Sequence, residues 1–228
     1  MEALADHIWI FDGETVPFFT LPYSTRMTVV RLPGERLWVH SPIRLTDSLQ
    51  QEVSALGKVE WLIAPNHLHH LFISDWAQAF PDAQTYGTRE VAKKRPDIDF
   101  TGLLTEHGQY PWHSDIEQLL FTGSPAMQEC VFFHRASSTL ILTDLIENFN
   151  PRHFTPLKRL LARLSGILAP NGKTPIDWRT SFLFGKHRAR QHVQTILNWQ
   201  PQRIVMAHGE IIREKATEHF RKAFRWVW

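Results

Sequence analysis

The first part of the chain gathers its apolar residues in short β-rich runs, the pattern of strands. HIWIF (7–11), MTVVRL (27–32) and RLWVHS (36–41) are such runs, with an apolar Pro17–Phe18–Phe19 after the first. Pro33–Gly34 between the last two supplies a hairpin turn. The spacing then lengthens. Leu45, Leu49 and Val53 are spaced as on one helix face, and Thr46 is placed to cap a helix running to about Leu56. WLIAP (61–65) is apolar throughout, as in a strand covered on both faces. LFISDWAQAF (71–80) predicts a helix stopped by Pro81, and AQTYG (83–87) another strand. A polar stretch continues to about Gly108, and strands return at QLLF (118–121), CVFFH (130–134) and TLILTD (139–144). From Thr155, with Pro156 in the first turn, Leu157, Leu160, Leu161, Leu164 and Leu168 line one face of an amphipathic helix. A helix over Lys186–Asn198, a strand at RIVMA (203–207) and a closing helix over Ile211–Trp228 complete the pattern. No linker, composition break or repeat divides it. The expectation is one α/β domain over residues 1–228, with layered sheets and helices outside.

Composition narrows the class. The 43% hydrophobic and 21% charged residues are globular values and exclude wholesale disorder. Nine tryptophans and fifteen phenylalanines imply an aromatic interior or an aromatic-lined cleft. A net charge of +2 disfavours nucleic acid as a partner, and Lys93–Lys94–Arg95 and Lys186–His187–Arg188 read as solvated helix faces. The single cysteine, Cys130, excludes an internal disulfide and a thiolate zinc cage. It suits a reducing compartment, and in an apolar strand it reads as a small buried hydrophobe. No signal peptide precedes Asp6, and no apolar run approaches the ~20 residues of a membrane span. These features lead us to expect a soluble, cytoplasmic protein with no membrane partner. Trp226 and Trp228 suggest docking or a homodimer contact.

Candidate chemistry concentrates at LIAPNHLHHLF (62–72), where a strand-like run ends in Pro and Asn before His67, His69 and His70. Imidazole is the commonest metal ligand and titrates near neutral pH. His208 stands in a similar setting in RIVMAHGE.

Four features in this order resemble the metallo-β-lactamase superfamily. They are the strand and histidine loop that open a helix, the FPDAQTY end of that helix, the hairpin CVFFHRASSTLILTDL ending near Asp144, and the strand running into AHG at His208. The resemblance spans roughly residues 7–212 and implies an αββα sandwich with a metal site along one sheet edge. HSPI, APN-x-x-HHLF, FFHR-x-S-x-TLILTD and MAHGE are closest to an uncharacterised bacterial branch, a domain of unknown function. The superfamily motif His-x-His-x-Asp-His is altered. With His70 in its last place, Pro65 and His67 occupy the two leading positions and His69 stands where the aspartate would be. TGSPAMQE offers no third metal histidine, and His40 replaces the usual acid at the end of the second hairpin strand. His70, Asp144 and His208 keep their places, with Asn66, His69 and Glu129 as substitutes.

A metal needs several donors converging at about 2.0–2.2 Å. Neighbours on an extended loop point apart, so His69 and His70 are not expected to bind one ion alike; His67 and His69 can share a side. Asp144 offers a hard oxygen that can bridge two ions, or caps a turn; His208 completes the set. The metal candidates are therefore His67, His69, His70, Asp144 and His208, with Glu129 a weaker one. Asp144, His40 and His69 are the candidates for catalysis, His40 or a spare loop histidine assisting proton transfer. His134 and His153 read as packing or surface residues. Such N/O ligands suit zinc first, with iron or manganese as alternatives, as one or two ions. Two readings remain. One is a metal-dependent hydrolase of a small ester, lactone, thioester or phosphoester using activated water. The other is a binding or accessory protein on a fold that has lost its chemistry and holds no ion.

Overall fold

The protein is described by a computed structural model over residues 1–18 and 21–228, so Phe19 of the apolar run at 17–19 lies outside the described residues. Seven strands form the first sheet in chain order: β1 (Glu2–Ala5), β2 (Ile8–Phe18), β3 (Leu21–Leu32), β4 (Arg36–His40), β5 (Lys58–Ala64), β6 (Gln84–Thr88) and β7 (Gly102–Leu104). β1 to β4 pair antiparallel, through the hairpin expected at Pro33–Gly34, and β4 to β7 pair parallel. The second sheet contains β8 (Ile116–Phe121), β9 (Glu129–His134), β10 (Thr139–Ile141) and β11 (Arg203–Val205), in the order β11-β10-β9-β8. There β10 runs parallel to β11.

Helices α1 (Asp47–Ser54), α2 (Ile73–Ala79) and α3 (Arg89–Lys94) belong to the first half, and α4 (Pro156–Ser165), α5 (Ile176–Ser181), α6 (Lys186–Asn198) and α7 (Ala216–Ala223) to the second. Strand alternation builds the layers. Trp38 and Trp61 point between the sheets to meet Trp112, Phe132 and Val205. Leu37, Val39 and Leu62 point outward to Val53 of α1, Trp76 of α2 and Val91 of α3. On the opposite face Val131, Leu140 and Ile204 pack on Val193 of α6 and Phe220 of α7. This is the expected αββα sandwich, and its core is aromatic as the composition implied.

Several elements differ from the sequence pattern. The polar stretch contains α3, whose first turn is capped by Thr88 accepting from the Val91 N–H, and the three-residue β7. Elements of six and three residues are too short to establish a period. The closing helix is confined to Ala216–Ala223, because Ile212 instead makes a backbone bridge to Ile204 beside β11. Gly166, left-handed at φ 85°, ends α4, and Leu168 lies beyond it in a bridge to Phe149. The remaining leucines of the α4 face do not enter the core. Ala162 is the buried residue of that helix, and Leu157, Leu160, Leu161 and Leu164 are 70%, 54%, 55% and 65% exposed.

The topology decides where a site can form. β5 runs parallel to its neighbours in the first sheet and β10 to β11 in the second, and the loops after all three meet along one edge, joined by Asn66 to Thr143 and Asp144 and by His208 to Asp144. Those loops carry His69, Asp144 and His208.

Candidate metal centre

Asn66 lies two residues past the end of β5 and organises the histidine loop. Its side-chain oxygen accepts the N–H groups of Leu68 and His69 at 2.8 and 3.0 Å, closing a tight turn. Its amide nitrogen donates to Thr143 Oγ1 at 2.9 Å and Asp144 Oδ2 at 2.7 Å, and lies 3.3 Å from Glu129 Oε2. One buried amide thus ties the loop after β5 to the loop after β10.

Glu129 performs the matching task on the other side. Its carboxylate accepts the N–H groups of Thr143, Asp144 and Leu145 at 2.8, 2.8 and 3.0 Å. Burial and the charge of Asp144 push its pKa up, while the backbone donors pull it down. Both oxygens are occupied by the fold, and Glu129 holds Asp144 in place.

Three donors converge at the end of these loops. His208 Nε2 is 3.0 Å from Asp144 Oδ1, His69 Nε2 is 3.3 Å from Asp144 Oδ2, and the two Nε2 atoms are 3.2 Å apart. Burial raises the Asp144 pKa, but the charge and hydrogen bonds of His69 and His208 outweigh it and hold the carboxyl well below the usual range. His208 Nδ1 donates to the Ser24 carbonyl oxygen at 2.6 Å, which leaves Nε2 with a lone pair in the neutral ring. His69 Nδ1 pairs with Ser41 Oγ at 2.7 Å, so its Nε2 too is aimed inward.

With Nε2 of each imidazole turned to the carboxylate, the three groups can share protons as hydrogen bonds or present two nitrogens and an oxygen to a cation. Ligands at 2.0–2.1 Å around a tetrahedral ion lie about 3.3 Å from one another. The 3.2 Å between the two Nε2 atoms is close to that figure, and each nitrogen lies 3.0–3.3 Å from one oxygen of the Asp144 carboxylate. The donor set therefore fits a divalent ion bound by two imidazoles and a carboxylate.

Among the described residues, His69, Asp144 and His208 form the cluster that could hold a metal ion. His67 is turned outward, with Nδ1 3.1 Å from Glu90 Oε2. His70 is buried, its Nδ1 is 3.4 Å from Arg95 Nη1, and burial with nearby Lys94 and Arg95 lowers its pKa to about 4. The 66–69 turn thus separates neighbouring histidines, as expected for His69 and His70, and also keeps His67 off the side that His69 faces. His40 is buried and stacks on Trp38 in the inter-sheet core, where burial and then His69 lower its pKa to about 3. Cys130 is buried and free, as the pattern implied.

Sequence reasoning missed Ser41, Tyr23 and Glu147. Ser41 has φ 53°, a left-handed conformation for a residue preceding proline, and it positions His69. Tyr23 meets the His208 ring edge-on at 4.9 Å and donates to Glu147 Oε2 at 3.1 Å. Burial and the charge of Asp144 push the Glu147 carboxyl well above its usual value. The HSPI segment contained the Ser41 signal, but nothing local revealed its backbone.

The cluster opens onto a cavity of roughly 210 Å³ lined by Val16, Ile43, Leu68, Leu71 and Phe72. A second cavity reaches Asp144 and Glu147 from the side of Leu161, Ile176 and Trp178.

Residues 5–157 match the family described as Domain of unknown function (DUF4336). No curated protein matches the chain in sequence. Solved structures share its fold. The metallo-β-lactamase from Hirschia baltica superposes with a TM-score of 0.63 at 12% identity, covering 99% of this chain and 96% of that one. The mono-zinc form of the metallo-β-lactamase FIM-1 from Pseudomonas aeruginosa gives 0.63 at 12% identity, covering 99% and 92%. Rubredoxin oxygen:oxidoreductase from Desulfovibrio gigas gives 0.68 at 12% identity, covering 99% of this chain and 61% of that longer one.

Proposed function

Because this chain belongs to the family Domain of unknown function (DUF4336), whose description specifies no reaction, its own residues must carry the assignment, and we propose that it is a metal-dependent hydrolase. The substrate class is a small ester, lactone, thioester or phosphoester. The carrying observation is the convergence of His69 Nε2, His208 Nε2 and the Asp144 carboxylate at the floor of an apolar cavity. Zinc suits this donor set best, with iron or manganese next, and the mono-zinc neighbour shares the fold. When bound, such an ion supplies Lewis acidity and lowers the pKa of a water at its open position.

This chain's residues supply the rest. His69, His208 and Asp144 would hold the ion, while Ser41 and the Ser24 carbonyl fix the two imidazoles. Val16, Ile43, Leu68 and Phe72 exclude bulk water and would receive the apolar part of a substrate. Tyr23, whose hydroxyl donates to Glu147, lines both cavities beside His208 and would orient the substrate there.

Metal analysis of protein purified without a histidine tag tests the reading, followed by assay against the four ester classes. About one equivalent of a transition metal is expected, lost in His69→Ala and His208→Ala and kept in His67→Ala. Less than about a tenth of an equivalent in the wild type, with no uptake of added zinc, iron or manganese, would overturn it. The accessory-protein reading is supported by one observation: Pro65 and the TGSPAMQE segment leave three donors where the superfamily motif has more. Stoichiometric metal with no turnover of any ester class would favour it.

A further inference from the structure

The α4 helix presents an apolar face away from the protein. At about 100° per residue, Leu157, Leu160, Leu161 and Leu164 fall within about 100° of arc. Ala162, the buried residue, lies on the opposite side. All four leucines are more than half exposed. Lys158 borders the leucine arc on one side and Arg163 on the other, while Arg159 lies toward the Ala162 side and donates to the Phe154 carbonyl oxygen. Between Asn148 and Ile176 the sequence contains Arg152, Lys158, Arg159, Arg163 and Lys173 and not one Asp or Glu.

We infer that α4 is an interfacial helix that seats this protein on an anionic lipid bilayer. The pattern is that of a helix lying in the plane of a membrane surface, its leucines in the acyl boundary and its cations reaching back to the headgroups. Complementary charge selects the occupant, since α4 carries Lys158, Arg159 and Arg163 and no acid and is attracted to anionic lipid. Two such helices facing each other would oppose their cations. A ten-residue helix is also small for a subunit contact. It is about 15 Å long and 10 Å wide, a footprint of roughly 150 Å² against the ~800 Å² per partner of a stable interface. The docking is peripheral: among the described residues no helix is long and apolar enough to cross a membrane. It departs from the expectation, drawn from the lack of a membrane span, that no membrane partner exists. Leu161 and Ile176 line the cavity that reaches Asp144. Seating α4 would bring that cavity to the lipid surface.

Co-sedimentation of the full chain with vesicles tests the inference independently of metal content and turnover. Wild-type protein is expected to pellet with vesicles of 30% phosphatidylserine in phosphatidylcholine and far less with phosphatidylcholine alone. Leu160→Asp with Leu164→Asp should weaken the partition at least about tenfold. Lys158→Gln and Arg163→Gln together should weaken it about 25-fold, at roughly fivefold per cation. Because these side chains lie outside the core, an unchanged circular dichroism spectrum checks that both variants fold. No binding by the wild type, or equal binding by wild type and leucine variant, would overturn the inference. So would a discrete wild-type dimer in sedimentation velocity that the leucine variant abolishes, since the face would then belong to a second copy.

Discussion

Replacing Glu129 by glutamine tests whether the site is held by its braces as argued. The substitution preserves volume and changes one oxygen into an NH₂ donor. In the native fold Oε2 accepts from Asp144 and Leu145, and Oε1 accepts from Thr143. The best glutamine orientation keeps its oxygen at the Oε2 position, leaving its NH₂ facing the Thr143 N–H. One buried donor then loses its acceptor and meets another donor, while the remaining bonds lose their charge. A buried unsatisfied N–H costs about 1–3 kcal/mol, and each charge-assisted bond made neutral loses a further fraction. The sum is roughly 2–4 kcal/mol, read in urea denaturation as a lower midpoint at unchanged slope. Because the same N–H groups orient Asp144, zinc affinity measured by competition with a chelating dye should also fall about 10–100-fold. A variant within about 0.5 kcal/mol of wild type and with native zinc affinity would refute the brace. Loss of metal without loss of stability would instead mean that Glu129 touches the ion.

Other expectations follow from the same geometry. Ser41→Ala removes the partner of His69 Nδ1 and should weaken zinc binding about tenfold in the same competition assay, with little change in the urea midpoint. Gly209→Ala places a Cβ about 2.2 Å from the Asn148 carbonyl oxygen at a φ of +92°, so the melting temperature should fall with a loss of roughly 2–4 kcal/mol and His208 should shift. His40 has a folded pKa of about 3 against 6.5 when unfolded. A lowered pKa contributes stability that is full above pH 6.5 and lost as pH falls toward 3. At pH 5 the His40 share of that loss is about 2 kcal/mol relative to pH 7.5, and in His40→Phe the difference between the two pH values should shrink by that amount, the rest remaining with His70, whose pKa is lowered to about 4.

The sequence by itself determined most of the strands, while β1 and the three-residue β7 escaped it, and its resemblance to a known superfamily implied the sheet edge where chemistry would lie. The strand signals are local. Apolar runs of strand length such as LWV in RLWVHS and CVFFH mark strands covered on both faces, and successive side chains then point to opposite layers. The clustered histidines, Asp144 and His208 were legible as residue types at strand ends, and the superfamily resemblance implied that they share one edge. Which histidine faces inward was not. His67, His69 and His70 are chemically identical, and the Asn66 turn, braced from Thr143 and Asp144 almost eighty residues away, aims His69 at Asp144 and turns His67 to Glu90. Glu129 read as a ligand candidate because its type allows it, yet tertiary folding brought three N–H donors to its carboxylate first. The leucines of α4 carry the same lesson. Their spacing specified an apolar face, but the packing of Ala162 against the protein decided that this face would look outward. Periodicity is written along the chain, whereas orientation is decided by residues that meet only when it folds.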